Sequence, residues 1–213
     1  MTARSDNDGA VLALSARPLP LALAAAGLAV LVLSMRGASL DHISAAEMAV
    51  FRAINRLPEL LYRILWLPMQ LGNLVVGLVV GLGVAALLRD LAIGIAVVVA
   101  MIAKLVIERV VRDRMTSFRE VRQRPGTSEP DAILRGDVPA TGASFPSGHV
   151  ILAAAIGVVL TSGLPVAWLW VPWVLVLTVA FARVYVGAHN PLDVTAGLGA
   201  GMLIGGLLDV LLR

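Results

Sequence analysis

Long apolar blocks separated by short polar breaks dominate the chain. They cover Leu19 to Met35, Trp66 to Leu88, Leu91 to Val111, Ser147 to Gly163, Leu164 to Ala182 and Pro191 to Leu212. Each is near the ~17–25 residues that a helix needs to cross roughly 30 Å of hydrocarbon, so six transmembrane helices are expected. Only Ser162-Gly163-Leu164-Pro165 divides the fourth from the fifth. The first block has no small-residue cleavage site and a longer apolar core than a secretory signal, so it reads as a retained helix. Residues Asp41 to Tyr62 set Ala45, Met48, Phe51 and Ile54 against Glu47, Arg52 and Arg56. That amphipathic pattern predicts a helix lying in the membrane interface. Met1 to Pro18 reads as a polar tail. Arg112 to Ser144, with Pro125, Gly126, Pro130, Gly136, Pro139 and Gly142, reads as one long polar loop. The expected fold class is all-α: a six-transmembrane-helix bundle in one membrane domain over 19–213, with its core over about 62–213. In the last block Gly197, Gly201 and Gly205 recur every fourth residue, a spacing that favours close helix packing.

Composition sharpens this picture. A hydrophobic content of 59% and a mean hydropathy of +0.89 exclude an ordinary soluble globule. The absence of cysteine excludes disulfides and thiolate metal sites. The net charge is +3, and Lys104 is the sole lysine beside the arginines. Those arginines flank apolar blocks without stacking aromatics, which points to anionic lipid headgroups and the bilayer as partners, not nucleic acid.

Three polar clusters at the ends of apolar blocks are the candidates for chemistry, because titratable groups beside lipid are costly and tend to be functional. The first is Lys104 with Glu108 and Arg112, each a step of four from the last, a cation–anion–cation stripe on one helix face. Taken alone it reads equally as a snorkelling lysine paired with Glu108. In the second, Phe145-Pro146-Ser147-Gly148-His149, Ser147 is placed to cap a helix and Gly148 to let an anion approach the backbone at the helix start. The third is Arg183, His189 and Asp193, followed through Asn190-Pro191-Leu192-Asp193 as N-cap, first-turn proline and first-turn acid. A carboxylate on one nitrogen of His189 would fix its tautomer and leave the other as a nucleophile or base, while Arg183 can hold phosphate oxygens bidentately.

Together the clusters resemble the type 2 phosphatidic acid phosphatase family of membrane lipid phosphatases, related to vanadium haloperoxidases. That family carries Lys, six residues, Arg-Pro; then Pro-Ser-Gly-His; then Ser-Arg, five residues, His, three residues, Asp. Here the second motif is intact over Pro146 to His149, and the third is present as Ala182-Arg183, His189 and Asp193, with alanine in place of the serine. The first is irregular: Val111 stands seven after Lys104, Arg112 follows, and an Arg-Pro pair occurs only at Arg124-Pro125. Helical phase favours Arg112, with Arg124 as the rival. The resemblance covers about Tyr62 to the C-terminus.

What the resemblance implies is hydrolysis of a lipid phosphate or diphosphate in two steps. His189 is the nucleophile that forms a phosphohistidine, Asp193 orients it, and His149 is the acid and then the base. Lys104, Arg112, Ser147, Gly148 and Arg183 bind the phosphate, and no metal or other cofactor takes part. A lipid phosphotransferase with the same site, or a membrane protein that only binds anionic lipids, are the alternatives. The expected location is the cell membrane, as a multi-pass protein. With a cytoplasmic N-terminus the motifs face outward, as the resemblance suggests, whereas the arginine-rich face that carries them leans by the positive-inside rule toward a cytoplasmic active site, so both orientations stay open.

Overall fold

The computed structural model describes residues 18–38, 43–117 and 122–213, with the backbone alone over 111–117. The polar tail therefore lies outside the described residues. The described chain is all-helical: α1 (Pro18–Ala38), α2 (Ala45–Asn55), α3 (Leu60–Met69), α4 (Leu74–Leu88), α5 (Leu91–Ser117), α6 (Gly148–Thr161), α7 (Trp170–Tyr185) and α8 (Pro191–Leu212). One helical turn at Pro125–Ser128 and two short 3₁₀ turns complete it.

Among the described residues four helices are long and apolar enough to cross a bilayer, over Leu19–Ala38, Leu91–Val110, Val166–Tyr185 and Pro191–Leu212. The second expected span is broken. Leu60–Gly72 and Leu74–Leu88 meet at 73°, and counted as one bent span they make a fifth. The break has a local cause. Pro68 cannot continue the hydrogen-bond ladder, and Asn73 starts a new helix by accepting from the Val75 and Val76 amides at 2.9 and 3.4 Å. The fourth expected span, α6, is a shorter apolar helix of 14 residues. At 1.5 Å per residue that is about 21 Å, less than the bilayer core.

Two glycine stripes on α8 explain how α6 is held. Cβ atoms on Gly197, Gly201 and Gly205 would lie 2.5–2.6 Å from backbone or side-chain atoms of α6 and the Ser147 that precedes it. Gly199 and Gly206 approach α1 as closely. The sequence spacing thus reports a real contact, with α8 as the central helix. Outward faces stay apolar, including Leu33, Val75, Val79, Leu87, Leu91 and Leu177, as expected of surfaces that meet lipid tails.

The amphipathic segment forms α2, capped by Ser44, whose hydroxyl accepts from the Glu47 amide at 3.2 Å. Its buried face is mixed: Phe51 joins Val150, Val176 and Val179 in a core cluster, while Glu47 and Asn55 are buried polar groups. The polar excursion differs from expectation at its start, because α5 runs on to Ser117. From Arg122 onward the loop folds back over the bundle end. Asn55 secures it, donating to the carbonyls of Ile133 (2.8 Å) and Tyr185 (2.9 Å) and accepting from the Ile133 amide at 2.8 Å. Arg135 does the same work from the loop side. Its guanidinium donates to the Asn55 and Tyr185 carbonyls at 2.8 and 2.7 Å and lies 4.1 Å from the centre of the Tyr185 ring.

Asn55→Ala strands the amide and carbonyl of Ile133 and leaves the Tyr185 carbonyl to Arg135 alone. It should cost about 2 kcal/mol, or roughly 4–8 °C in Tm, by thermal unfolding in detergent. An unchanged Tm would show that the loop is secured elsewhere.

Candidate active site

The ends of four helices and the returning loop meet around one cavity of about 540 Å³. α5 brings Lys104 and Glu108, the start of α6 brings Gly148 and His149, and Arg183 comes from the end of α7. His189 comes from the turn into α8, and the loop adds Arg124 and Ser144. Local sequence explains this convergence. Gly187 has φ +77°, a left-handed conformation that turns the chain sharply out of α7, and a Cβ there would lie 2.7 Å from the Ile133 carbonyl oxygen. The Ala188 and His189 amides then fold back onto the Arg183 carbonyl at 3.1 and 3.3 Å. Pro191 opens α8, and Asp193 in its first turn accepts from the Asn190 amide at 2.8 Å. The Ser147 amide donates to the Asp193 carbonyl at 2.9 Å, which ties the starts of α6 and α8 together.

His189 is 4% exposed. Its Nδ1 lies 2.8 Å from the Ser144 carbonyl oxygen, which can only accept, so Nδ1 carries the hydrogen and Nε2 keeps its lone pair. Burial holds this imidazole well below the usual histidine range. The positive charges of Arg183 and Arg124, and His149 after them, push it further down, outweighing the opposing bond to Ser144. It is therefore neutral at physiological pH.

Asp193 has no exposed surface, but it does not hydrogen-bond the imidazole. Its Oδ2 is 3.9 Å from Nδ1, an ion-pair separation. The carboxylate instead takes Arg122 Nε at 2.7 Å, the Ser144 hydroxyl and the Asn190 amide. Ser144 thus stands between acid and imidazole, its hydroxyl on Asp193 and its carbonyl on His189. Arg122 also donates to buried Glu47, and Glu47 accepts from the Leu192 amide at 2.9 Å. Burial alone would lower the pKa of Arg122, but Asp193 and Glu47 together raise it above the ordinary value, so it stays charged.

Two other guanidiniums are differently placed. Arg183 is 8% exposed, its Nη1 reaches only the Met69 sulfur at 3.8 Å, and its Nε is buried without a hydrogen-bond partner. Arg124 donates to the Ala188 carbonyl at 2.9 Å and has no carboxylate within ion-pair distance among the described residues. Burial lowers its pKa, against the attraction of Asp193 and Glu108. A buried and a half-buried cation, without close counter-ions among the described residues, make the cavity a strong attractor for an anion. Lys104, by contrast, is paired with Glu108 at 2.8 Å, as the four-residue spacing predicts.

Of the sequence candidates, Lys104, Gly148, His149, Arg183 and His189 line the cavity, and Asp193 lies buried behind His189. Ser147 is buried too, but its hydroxyl has no partner and does not cap α6, contrary to expectation. The side chain of Arg112 lies outside the described residues, while the loop arginines Arg124 and Arg135 both line the cavity, Arg135 with its guanidinium held by Glu59 and backbone carbonyls. Glu47, Arg122 and Ser144 were not singled out by the sequence. Their partners are 45 to 145 residues away, a separation that no local pattern reports. The Arg124-Pro125 pair was the available signal for the cavity arginine. Among the described residues no group of three or more histidines and carboxylates could hold a metal ion.

Residues 90–211 match the PAP2 superfamily. Over 90 residues the chain is 34% identical to decaprenylphosphoryl-5-phosphoribose phosphatase of Mycobacterium tuberculosis, covering 41% of this chain and 46% of that protein. Over 58 residues it is 41% identical to undecaprenyl-diphosphatase of Sulfolobus acidocaldarius, covering 27% and 28% of the two chains. The chain thus spans less than half the length of these curated relatives. The crystal structure of Aquifex aeolicus LpxE superposes with a TM-score of 0.68 at 23% identity, over 78% of this chain and 95% of that one. A transmembrane PAP2-type phosphatidylglycerolphosphate phosphatase from Bacillus subtilis gives 0.65 at 21% identity, over 89% and 93%. These two structures share the fold. The family match takes in all three polar clusters and more than half of the chain: the protein belongs to the PAP2 superfamily.

Proposed function

We propose that the protein is an integral membrane phosphatase that hydrolyses a lipid phosphate or diphosphate through a phosphohistidine on His189, without a metal. One observation carries this reading. A neutral, single-tautomer imidazole, the buried guanidinium of Arg183 and the half-buried one of Arg124, both without close counter-ions among the described residues, line the same cavity. Nε2 of His189 attacks phosphorus, and the bond from phosphorus to the lipid oxygen breaks. The equatorial oxygens, where charge builds, are held by Arg183, Arg124 and Lys104. His149 gives a proton to the departing lipid oxygen, the negative charge of the phosphate offsetting the burial and the Arg183, Lys104 and Arg124 charges that otherwise disfavour its charged form. It then takes a proton from the water that attacks the phosphohistidine, which releases phosphate and restores both imidazoles.

Support for a lipid substrate comes from the setting. Trp66, Met69 and Val138 line the cavity beside the polar cradle, at the end of helices whose outer faces are apolar. A chain bearing the phosphate can stay in the bilayer while its head reaches His189. Prenyl-linked phosphates are the favoured class, since two relatives act on such carriers by name. The cavity end also carries Arg52, Arg56, Arg122 and Arg124, against Arg89 and Arg213 at the other, which favours a cytoplasmic site in the cell membrane.

Brief exposure of purified protein to a ³²P-labelled prenyl phosphate, followed by alkaline quench, should trap label on His189. His189→Ala should bind the lipid, stay folded and trap none. Label retained in that variant would remove the nucleophile assignment.

The cavity arginine is tested separately. Arg124→Ala should weaken inhibition by vanadate about 30-fold, the worth of one or two charge-assisted hydrogen bonds. Arg112→Ala should leave it within about threefold on the same argument. The reverse order would restore Arg112 to the first motif.

A further inference from the structure

Glu108 is the one carboxylate set among the phosphate-binding cations, and the phosphatase reading gives it no task. It pairs with Lys104 at 2.8 Å and lines the same cavity as Arg124, Arg183 and His189. Its position against the start of α6 is unusually close. A Cβ built on Gly148 would lie 1.6 Å from Glu108 Oε1 and 3.0 Å from Lys104 Cε. Only a glycine admits the carboxylate there, at the helix start where a bound phosphate would gain from the dipole. Asp137 also lines the cavity but is exposed, so solvent screens it. Arg135 is committed to Glu59 and to three carbonyls of the surrounding loops.

We infer that Glu108 sets specificity by charge, matching the cradle to a monophosphate and disfavouring a diphosphate. This rests on the phosphatase reading above and deepens it. Before substrate binds, with both imidazoles neutral, Lys104, Arg124 and Arg183 supply three positive charges and Glu108 removes one, leaving two. A fully ionised phosphate monoester carries about two negative charges. A diphosphate monoester carries about one more, and its extra phosphoryl group would have to lie beside Glu108 or displace it from Lys104. In a partly buried cavity one additional like charge a few ångströms away is worth about a kilocalorie or more, so the ratio of the two substrates should move by about tenfold.

The test uses full-length protein in detergent, as wild type and Glu108→Gln, which keeps the shape and can still accept from Lys104. Turnover of farnesyl phosphate and farnesyl diphosphate is compared as kcat/KM. Binding of inorganic phosphate and pyrophosphate is measured by calorimetry, which reads the cradle independently of catalysis. The expected result is a rise of about tenfold in the diphosphate-to-monophosphate kcat/KM ratio, with a parallel rise in relative affinity for pyrophosphate. Glu108→Asp, which retains the charge, should shift neither ratio beyond about twofold. If wild type hydrolyses the lipids but Glu108→Gln moves both substrates equally, or neither, the inference about Glu108 is wrong and the phosphatase reading stands. If wild type hydrolyses neither lipid and binds neither anion, both fail together.

Discussion

A buried chain of alternating charges, Glu47–Arg122–Asp193, is the constraint from which the rest of the site follows. It joins α2, the returning loop and α8 through buried charge. Each buried ion gives up several kcal/mol of hydration. The loss is offset because each carboxylate also collects hydrogen bonds, from the Leu192 amide on Glu47 and from the Asn190 amide and Ser144 hydroxyl on Asp193. Once Asp193 holds the Ser144 side chain, the Ser144 carbonyl is fixed against His189, and the ring has one tautomer open to it. Asp193 therefore acts on the imidazole at one remove. Losing a single member would leave the others as uncompensated buried charges, which is why the chain behaves as a unit.

The same low-dielectric surroundings that make that chain costly to break make the cavity reactive. Burial and two nearby guanidiniums keep His189 neutral, while those guanidiniums themselves have no close carboxylate partner among the described residues. Folding thus stores an attraction for an anion directly beside a lone pair. The bundle can carry this because most of its apolar surface is turned outward to lipid, and α8 is packed on both sides through glycines. Close backbone contact between α6 and α8 also brings His149 and His189 to one end, so the polar groups are concentrated where water and headgroups are available.

Much of this was written locally. Apolar block length gave the helices, and the spacing of Gly197, Gly201 and Gly205 gave the α6–α8 contact before any coordinates. The cluster residues His149, Arg183, His189 and Asp193 were marked by capping signals and by the family spacing. What local pattern misled was the continuity of Trp66 to Leu88, where Pro68 and Asn73 break the span, and the role of Ser147, whose hydroxyl caps nothing. Helical phase drew attention to Arg112 because it lies in register with Lys104 and Glu108. The side chain of Arg112 lies outside the described residues, and Arg124 reaches the cavity from the loop. Glu47, Arg122 and Ser144 were invisible for a different reason, since each gains meaning only from partners brought close by the whole fold.

The account's central claim is that His189 presents Nε2 to a phosphoryl group cradled by cations from separate helix ends and the loop. The most direct measurement is an experimental structure of the protein with bound orthovanadate, which takes up the geometry of the transferring phosphoryl group. The account predicts vanadium bonded to His189 Nε2, its equatorial oxygens on Arg183, Arg124 and Lys104, and Nδ1 still on the Ser144 carbonyl. Vanadium bonded to His149, or seated away from His189 with the imidazole turned to present Nδ1, would contradict it.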